Sequence, residues 1–480
     1  MTRVRIAPSP TGFLHIGTAR TALFNFLFAK KNGGKFILRV EDTDKNRSME
    51  AFDRDVIEGL QWLGLQWDEG PDVGGEYAPY RQSQRIESHK QALQQLLERK
   101  YAYLCYCTTE ELEADRTTAE QAKLAYRYNG RCRTNPPTGR DTAVVRFRLP
   151  EENASVQWND HIRGSVTVNI STLDDFIIAR DMNDPLYNFA VVVDDANMKI
   201  TYVIRGEDHI SNTPKQILIG NALGCPIPEF AHIPLILNTD RTKMSKRKNE
   251  VSMNRYRELG YLPEAIVNFL ALLGWNPGTE QELFTLEQLS EVFDLRRVQK
   301  SGAIFNNEKL RWFNQQYLAK RTPQEFETLV TTYLPKLHAD VNVSKAIAVV
   351  RPRLSILSEV TPQLESFMSE LPPLYEGELL LWPKAVKKSS LAQVQTMTKK
   401  ILSEFKEFLK RHSEWTESSL ELSTKSWIAE HAYGVGDTLW PLRVALSGQK
   451  DSPTPFELME ICGRGLTVKR IEYAINILEK

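Results

Sequence analysis

The chain has 480 residues, enough for roughly three domains with separate cores. Hydrophobic residues make up 41% and charged residues 25%, the balance of a globular protein, and the formal net charge of +0 means that any RNA contact must rest on local basic patches. Five cysteines are too few for a disulfide scaffold, Met1-Thr2-Arg3-Val4-Arg5 lacks the apolar stretch of a signal peptide, and no apolar run is long enough to span a bilayer, so a cytoplasmic protein without a membrane partner is expected.

Val4-Arg5-Ile6-Ala7 predicts a short strand, broken by Pro8-Ser9-Pro10-Thr11-Gly12. From Thr18, the residues Ala22, Leu23, Phe26 and Leu27 recur at helical spacing, and Asn32-Gly33-Gly34 stops that helix. Phe36 to Val40 predicts a second strand, ending at Glu41-Asp42-Thr43-Asp44. Strand, glycine-containing turn, helix and strand open a parallel nucleotide-binding sheet. From about Pro71 to Asn188 the character changes: a helical stretch, a cysteine pair and short strands such as Val144 to Arg148 predict an inserted domain. Ala190 to Asp195 and Tyr202 to Gly206 read as buried strands. From about Pro263 helical patterns dominate, with breaks expected at Pro352, Pro372-Pro373, Pro441 and Pro453-Thr454-Pro455. There is no internal repeat.

A strand-to-helix turn places backbone N–H groups and the positive end of a helix where phosphate can sit. In His15-Ile16-Gly17-Thr18 the histidine adds a donor, and Gly17 lets a flat ring approach the backbone. Alone, the tetrapeptide better fits a surface histidine beside a turn glycine. The basic loop Thr242 to Lys248 changes that weighting. Ser245 can anchor the loop and Lys246 can reach a phosphate as a point charge. The two segments flank a long insertion in the order that a split nucleotide site requires.

Arg5 to Gly12 followed by Leu14 to Thr18 resembles the signature of the class I aminoacyl-tRNA synthetases in its bacterial glutamyl form. Lys243-Met244-Ser245-Lys246-Arg247 resembles the family's second motif, with Arg in the last place; Thr18 stands where many class I enzymes have His. Both departures are usual in the glutamyl branch. Arg205-Gly206-Glu207-Asp208-His209 and Trp440-Pro441-Leu442-Arg443 extend the resemblance along the chain. It implies a Rossmann-like α/β catalytic domain in two pieces (1–75 and 189–250), an inserted α+β domain that receives the tRNA acceptor end (76–188), a stem-contact helical domain (251–322) and an all-α anticodon-binding region (323–480).

The implied reaction has two steps. The α-carboxylate of L-glutamate attacks the α-phosphate of ATP, and a ribose hydroxyl at the tRNA 3′ end then takes the acyl group. The resemblance makes His15, Lys243 and Lys246 catalytic, and places them with Gly17, Thr18 and Ser245 around ATP, with Mg²⁺ on the phosphates. It puts Arg5, Ala7, Ser9, Glu41, Tyr187 and Arg205 around glutamate: Glu41 on the α-amino group, Arg5 and Arg205 on the carboxylates. Val191 stands where the family often has Asn. A glutamine amide cannot neutralise a buried arginine, an omission worth about 3–5 kcal/mol, so glutamate is the expected substrate.

Cys105-x-Cys107 followed by Cys132 suggests Zn²⁺, which prefers four ligands. Related enzymes complete such a site with a His two residues after the last Cys, where this chain has Thr134, or with a Tyr four residues before it, the place of Tyr128. Two readings stand: a Zn²⁺ site of Cys105, Cys107, Tyr128 and Cys132, or three idle thiols. For the anticodon, Arg351, Arg353 and Arg443 are basic positions, while Trp440 and Trp427 offer stacking surfaces. The partner is tRNA(Glu), with tRNA(Gln) open, and a monomer is expected. Two other classes compete. A nucleotidyltransferase has no use for the helical C-terminal region, and a non-catalytic RNA-binding paralogue has no use for His15, Lys243 and Lys246.

Overall fold

The computed structural model describes residues 1–43, 50–137, 139–150, 154–244, 252–334, 341–370 and 374–479. Ser245, Lys246 and Arg247 of the basic loop, Asp44, and the break expected at Pro372-Pro373 lie outside the described residues. Two compact units emerge, residues 1–257 with 262–313, and 258–261 with 314–480.

In the first unit, β1 (Arg3–Ile6) leads through the proline-rich turn into α1 (Ile16–Lys31), and β2 (Lys35–Leu38) returns parallel to β1 with Arg5 opposite Ile37. Of the 16 residues of α1, 10 are buried, so this helix is a core element rather than a surface one. Asn32 caps its C-terminus, Gly33 takes the left-handed conformation, and a side chain at Gly34 would collide with the Thr2 carbonyl. α2 (Glu50–Trp62) follows.

The inserted segment contains α3 (Ile86–Glu98), β3 (Ala102–Cys105), α4 (Thr109–Gln121), the single turn α5 (Arg131–Thr134) and β4 (Val144–Phe147), then β5 (Ser155–Asp160), β6 (Gly164–Asn169), β7 (Ile177–Asp181) and β8 (Asp184–Pro185). Strands β3, β4, β7 and β8 form an antiparallel sheet in that order. The β5–β6 hairpin does not join it.

Ala190 to Asp195, expected as a strand, is the middle of a helix, α6 (Tyr187–Asn197). A run of four apolar residues has the same pattern in a buried strand and a buried helix. Here the helix starts after Pro185-Leu186 and stops at Lys199 in the left-handed conformation. The expected strand Tyr202–Gly206 is β9, followed by α7 (Thr213–Leu223), β10 (Glu229–Ile233) and β11 (Ile236–Leu237), the last two parted by Pro234. β10 pairs parallel with β9, and the inserted hairpin adds to its other edge, giving the order β6-β5-β10-β9.

The second unit is helical among the described residues. Pro352 sits in a 3₁₀ turn, as a break should, and Pro455 starts the last helix, Pro455–Glu479, which kinks at Gly463. Pro441 does not break its segment: it lies inside the helix Val435–Ser447. Pro441 and its neighbour Leu442 are buried, so packing holds the helix together across the hydrogen bond that proline removes. No helix among the described residues is long and apolar enough to cross a membrane.

Candidate active site

His15 is the N-cap of α1. Its Nδ1 accepts from the N–H groups of Gly17 (3.1 Å) and Thr18 (3.4 Å). With Nδ1 an acceptor, the proton of a neutral ring sits on Nε2, which lies 3.0 Å from the Thr18 hydroxyl. Gly17 is required for this fold-back, since a Cβ there would lie 2.9 Å from His15 Cε1. The flat ring that packs on this glycine is the histidine's own. Thr18 holds the ring from the other side. Asp55 of α2 accepts the Leu14 N–H (2.5 Å) and the Asn254 side-chain amide, and Met253 donates back to the Leu14 carbonyl (2.8 Å). The histidine turn is thereby tied to the chain that follows the basic loop.

Of that loop, Lys243 and Met244 are described. Lys243 bridges Leu237 across a hairpin whose turn includes Arg241 in the left-handed conformation, and its ammonium lies 3.7 Å from Asp208.

A second cluster lies below the turn. Arg5 on β1 donates to Asp195 from Nε (3.1 Å) and Nη2 (3.2 Å), and the fully buried Arg39 reaches the same carboxylate (2.6 Å) and Glu41 (3.1 Å). Arg39 and Asp195 therefore connect the two residues, Arg5 and Glu41, that the resemblance assigned to opposite ends of glutamate. Burial pushes Glu41 above the usual carboxylate range, whereas Arg39 and Arg5 outweigh burial at Asp195 and hold it below. Arg205 on β9 donates Nε to His232 (3.2 Å) and Nη2 to Thr213 (2.9 Å), while its buried Nη1 has no partner among the described residues. Tyr187, the first residue of α6, places its hydroxyl 3.2 Å from His209 Nδ1. Burial, then the charge of Arg205, lowers His209 to about 4, so it is neutral near pH 7.

Arg5, Arg39 and Arg205 thus face Glu41 and Asp195 in one buried cluster; Asp194, which also attracts Arg39, is matched by Arg85 at 2.7 Å, so net positive charge is left. Sequence reasoning missed Asp195, Arg39 and His209 as members. The available signal was the pair of carboxylates, Asp194 and Asp195, closing an apolar run.

One open cleft of about 1880 Å³ is lined by Arg5, Ala7, Ser9, His15, Gly17, Thr18, Glu41, Tyr187, Arg205 and Lys243. A pocket for one small ligand measures about 300–1,000 Å³, so this cleft has room for more than one.

Away from the cleft, the sulfurs of Cys105, Cys107 and Cys132 lie within 4.8 Å of one another. The Tyr128 hydroxyl is 3.3 Å from Cys105 Sγ and 3.6 Å from Cys107 Sγ, and Cys107 and Cys132 sulfurs are 3.5 Å apart. A tetrahedron with Zn–S bonds of about 2.3 Å has edges near 3.8 Å, so these four atoms fit a zinc ion. Arg146 lies over the Tyr128 ring at 3.8 Å, placing a positive charge beside the clustered sulfurs. Cys462 is buried and Cys225 half-buried, away from this group.

In the second unit, Arg351 donates to the carbonyls of Leu318, Ala319 and Arg321 at a helix C-terminus and lies over Phe326. Arg353 is exposed, Arg443 is half-buried, and Trp440 Nε1 donates to the Leu379 carbonyl. Trp427 is 5% exposed and stacks on His431, with ring centres 4.4 Å apart. It is a core residue and cannot serve as an open stacking surface without unpacking.

The family model described as tRNA synthetases class I (E and Q), catalytic domain, matches residues 1–312, and an anticodon binding domain matches residues 317–475. The chain is 42% identical over 493 residues to a glutamate–tRNA ligase 2 of Caldanaerobacter subterraneus subsp. tengcongensis, covering 99% of each. It is 42% identical to a glutamate–tRNA ligase of Anaeromyxobacter sp. strain K, covering 99% of this chain and 98% of that one. A crystal structure of a glutamate tRNA ligase from Elizabethkingia meningosepticum, in complex with its amino acid, superposes with a TM-score of 0.86 at 33% identity, covering 99% of both chains. With the split cleft, the capped histidine turn and the helical second unit, these likenesses place the chain in the family of class I tRNA synthetases of the E and Q group.

Proposed function

We propose that this synthetase is a glutamate–tRNA ligase in which the arginine–carboxylate cluster holds L-glutamate beside ATP. One observation carries the reading: Arg5, Arg39 and Arg205 outnumber Glu41 and Asp195, and Arg205 Nη1 has no partner among the described residues. Glutamate brings one net negative charge and neutralises the excess; glutamine brings none. Glu41 takes the α-amino group, Arg5 and Arg205 the carboxylates, and Ala7, Ser9 and Tyr187 line the pocket. With the carboxylate held next to the His15 turn, its oxygen attacks the α-phosphate of ATP in line and pyrophosphate leaves. His15 Nε2–H exchanges the Thr18 hydroxyl for a phosphate oxygen, the Gly17 and Thr18 N–H groups keep their hold on Nδ1, and Lys243, Ser245 and Lys246 complete the phosphate site. Mg²⁺ bound together with ATP would supply further positive charge for the leaving pyrophosphate.

The tRNA acceptor end enters over the inserted domain (76–188), between the catalytic pieces 1–75 and 189–250. The region 251–322 contacts the stem, and 323–480 reads the anticodon, with Arg353, Trp440 and Arg443 as reading positions and Arg351 a supporting one. The substrate is tRNA(Glu), and charging of purified tRNA(Glu) and tRNA(Gln) decides whether the second is also used. The enzyme works in the cytoplasm as a monomer.

The test is glutamate-dependent ATP–pyrophosphate exchange, with and without tRNA. Exchange that requires glutamate and is stimulated by tRNA supports the reading. Lys246→Ala is expected to lower it more than tenfold, and near-normal exchange would remove Lys246 from the mechanism.

Zn²⁺ is assigned to Cys105, Cys107, Tyr128 and Cys132, where it would tie the end of β3 to the turn α5. Metal analysis of the purified protein is expected to give about one zinc per chain, falling to near zero in Cys132→Ser. Zinc well below one per chain in the unaltered protein would reject the site.

A further inference from the structure

Arg205 is held in an unusual way. It is a buried cation without a carboxylate within ion-pair distance among the described residues. Arg5 and Arg39, a few ångströms off, both have one. Its three acceptors are neutral: His232 Nε2, Thr213 Oγ1 and, at 3.5 Å, the His209 carbonyl. A carboxylate in any of these places would orient the guanidinium equally well and would also quench its charge. Neutral acceptors fix the fork and leave the charge available.

The histidine can act as acceptor only in one tautomer. Its Nε2 must carry a lone pair, so the proton must be on Nδ1. Asp160, 2% exposed at the end of β5, lies 2.5 Å from Nδ1. The other oxygen of Asp160 accepts from three backbone N–H groups: Ile162 (3.0 Å), Arg163 (2.9 Å) and His232 itself (3.2 Å). One oxygen is thus occupied by the backbone, and the second faces the ring. Burial opposes ionisation of Asp160, but His232 and these N–H groups outweigh it and hold the carboxyl below its ordinary range. Burial, reinforced by the charge of Arg205, outweighs Asp160 at His232 and keeps the ring neutral near pH 7.

We propose that Asp160 and His232 are positioning residues for glutamate: they form a buried carboxylate–imidazole–guanidinium chain that aims Arg205 at the substrate carboxylate while leaving its charge unpaired. The chain crosses three strands, β5, β10 and β9, that lie side by side in one sheet. This rests on the reading that Arg205 binds glutamate.

Asp160→Asn is the diagnostic change. The amide keeps an oxygen for the three backbone donors but presents N–H to the ring. The histidine must then accept at Nδ1 and carry its proton on Nε2, which can turn to the Thr213 hydroxyl (3.1 Å) but no longer accepts from Arg205 Nε. A carboxylate-to-amide change beside a catalytic histidine acts elsewhere through the same tautomer inversion. Steady-state aminoacylation with Asp160→Asn is expected to show the KM for glutamate raised at least tenfold, the KM for ATP within twofold, and a Tm close to the parent.

His232→Gln restores an acceptor near the Nε2 position and is expected to stay within about threefold of the parent KM for glutamate; His232→Leu removes it and is not. A KM for glutamate within twofold in folded Asp160→Asn, or equal rises for glutamate and ATP, overturns the proposal, as does His232→Gln being no better than His232→Leu. Arg205→Gln measured alongside separates the two levels. If that variant leaves the KM for glutamate unchanged, the assignment of Arg205 fails and the chain above it has nothing to aim.

Discussion

Arg205→Gln lowers kcat/KM for glutamate by about 10² to 10⁴, with the KM for ATP within threefold and the Tm nearly unchanged. The magnitude follows from leaving a desolvated carboxylate without its charged partner, about 3–5 kcal/mol at 1.4 kcal/mol per decade. The retained fold follows from the contacts. Arg205 has no carboxylate partner among the described residues, so its removal strands no buried protein anion, and glutamine can still reach Thr213 or His232. Arg5 is a poorer probe, because Asp195 would be left to Arg39 alone. Arg205→Gln is also expected to narrow the preference for glutamate over glutamine, since the excess charge that glutamine cannot answer is gone. Steady-state charging with both amino acids measures this, and an unchanged preference would mean that Arg205 does not read the substrate charge.

His15→Ala lowers ATP–pyrophosphate exchange by about 10² to 10³, the range for losing one well-placed donor to developing charge. It also loses the N-cap of α1, at about 0.5–2 kcal/mol of stability. His15→Asn separates these two roles. Asparagine is a good N-cap and can accept from the Gly17 and Thr18 N–H groups, but it places no donor where Nε2 stands. Thermal unfolding of His15→Asn should sit closer to the parent than that of His15→Ala, while exchange stays low in both. Recovery of exchange in His15→Asn would mean that the histidine acts only as a cap.

The β1–α1–β2 opening could be read directly from the chain, because its signals are local: a proline-rich turn, helical spacing from Ala22 to Leu27, and a glycine pair as a stop. The cysteine group was legible only in part: Cys105-x-Cys107 is local, while the pairing of Tyr128 with Cys132 came from the resemblance, and the structure brings their side chains together. Ala190 to Asp195 could not be read, because a short apolar run looks alike in a strand and a buried helix. Misreading it hid Asp195, whose partners Arg5 and Arg39 lie 190 and 156 positions away. Asp160 and His232 were hidden in the same way: 72 positions separate them, and only the pairing of β5 with β10 brings them together. At Trp427, composition alone could not tell a stacking surface from a core ring.

The β5–β6 hairpin has a consequence for how such enzymes can be recombined. By position in the chain it falls in the segment expected as an insert, yet it is stitched onto the edge of β10 with Asp160 beside Phe230. The insert is therefore not a cassette that can be lifted out between its two chain junctions. A trimmed synthetase, or a chimera carrying another family member's segment here, inherits a new neighbour for His232. A graft that brings an aspartate to the position of Asp160 transfers cleanly. One that does not is expected to alter amino-acid affinity from a splice made far along the chain from Arg5 and Glu41.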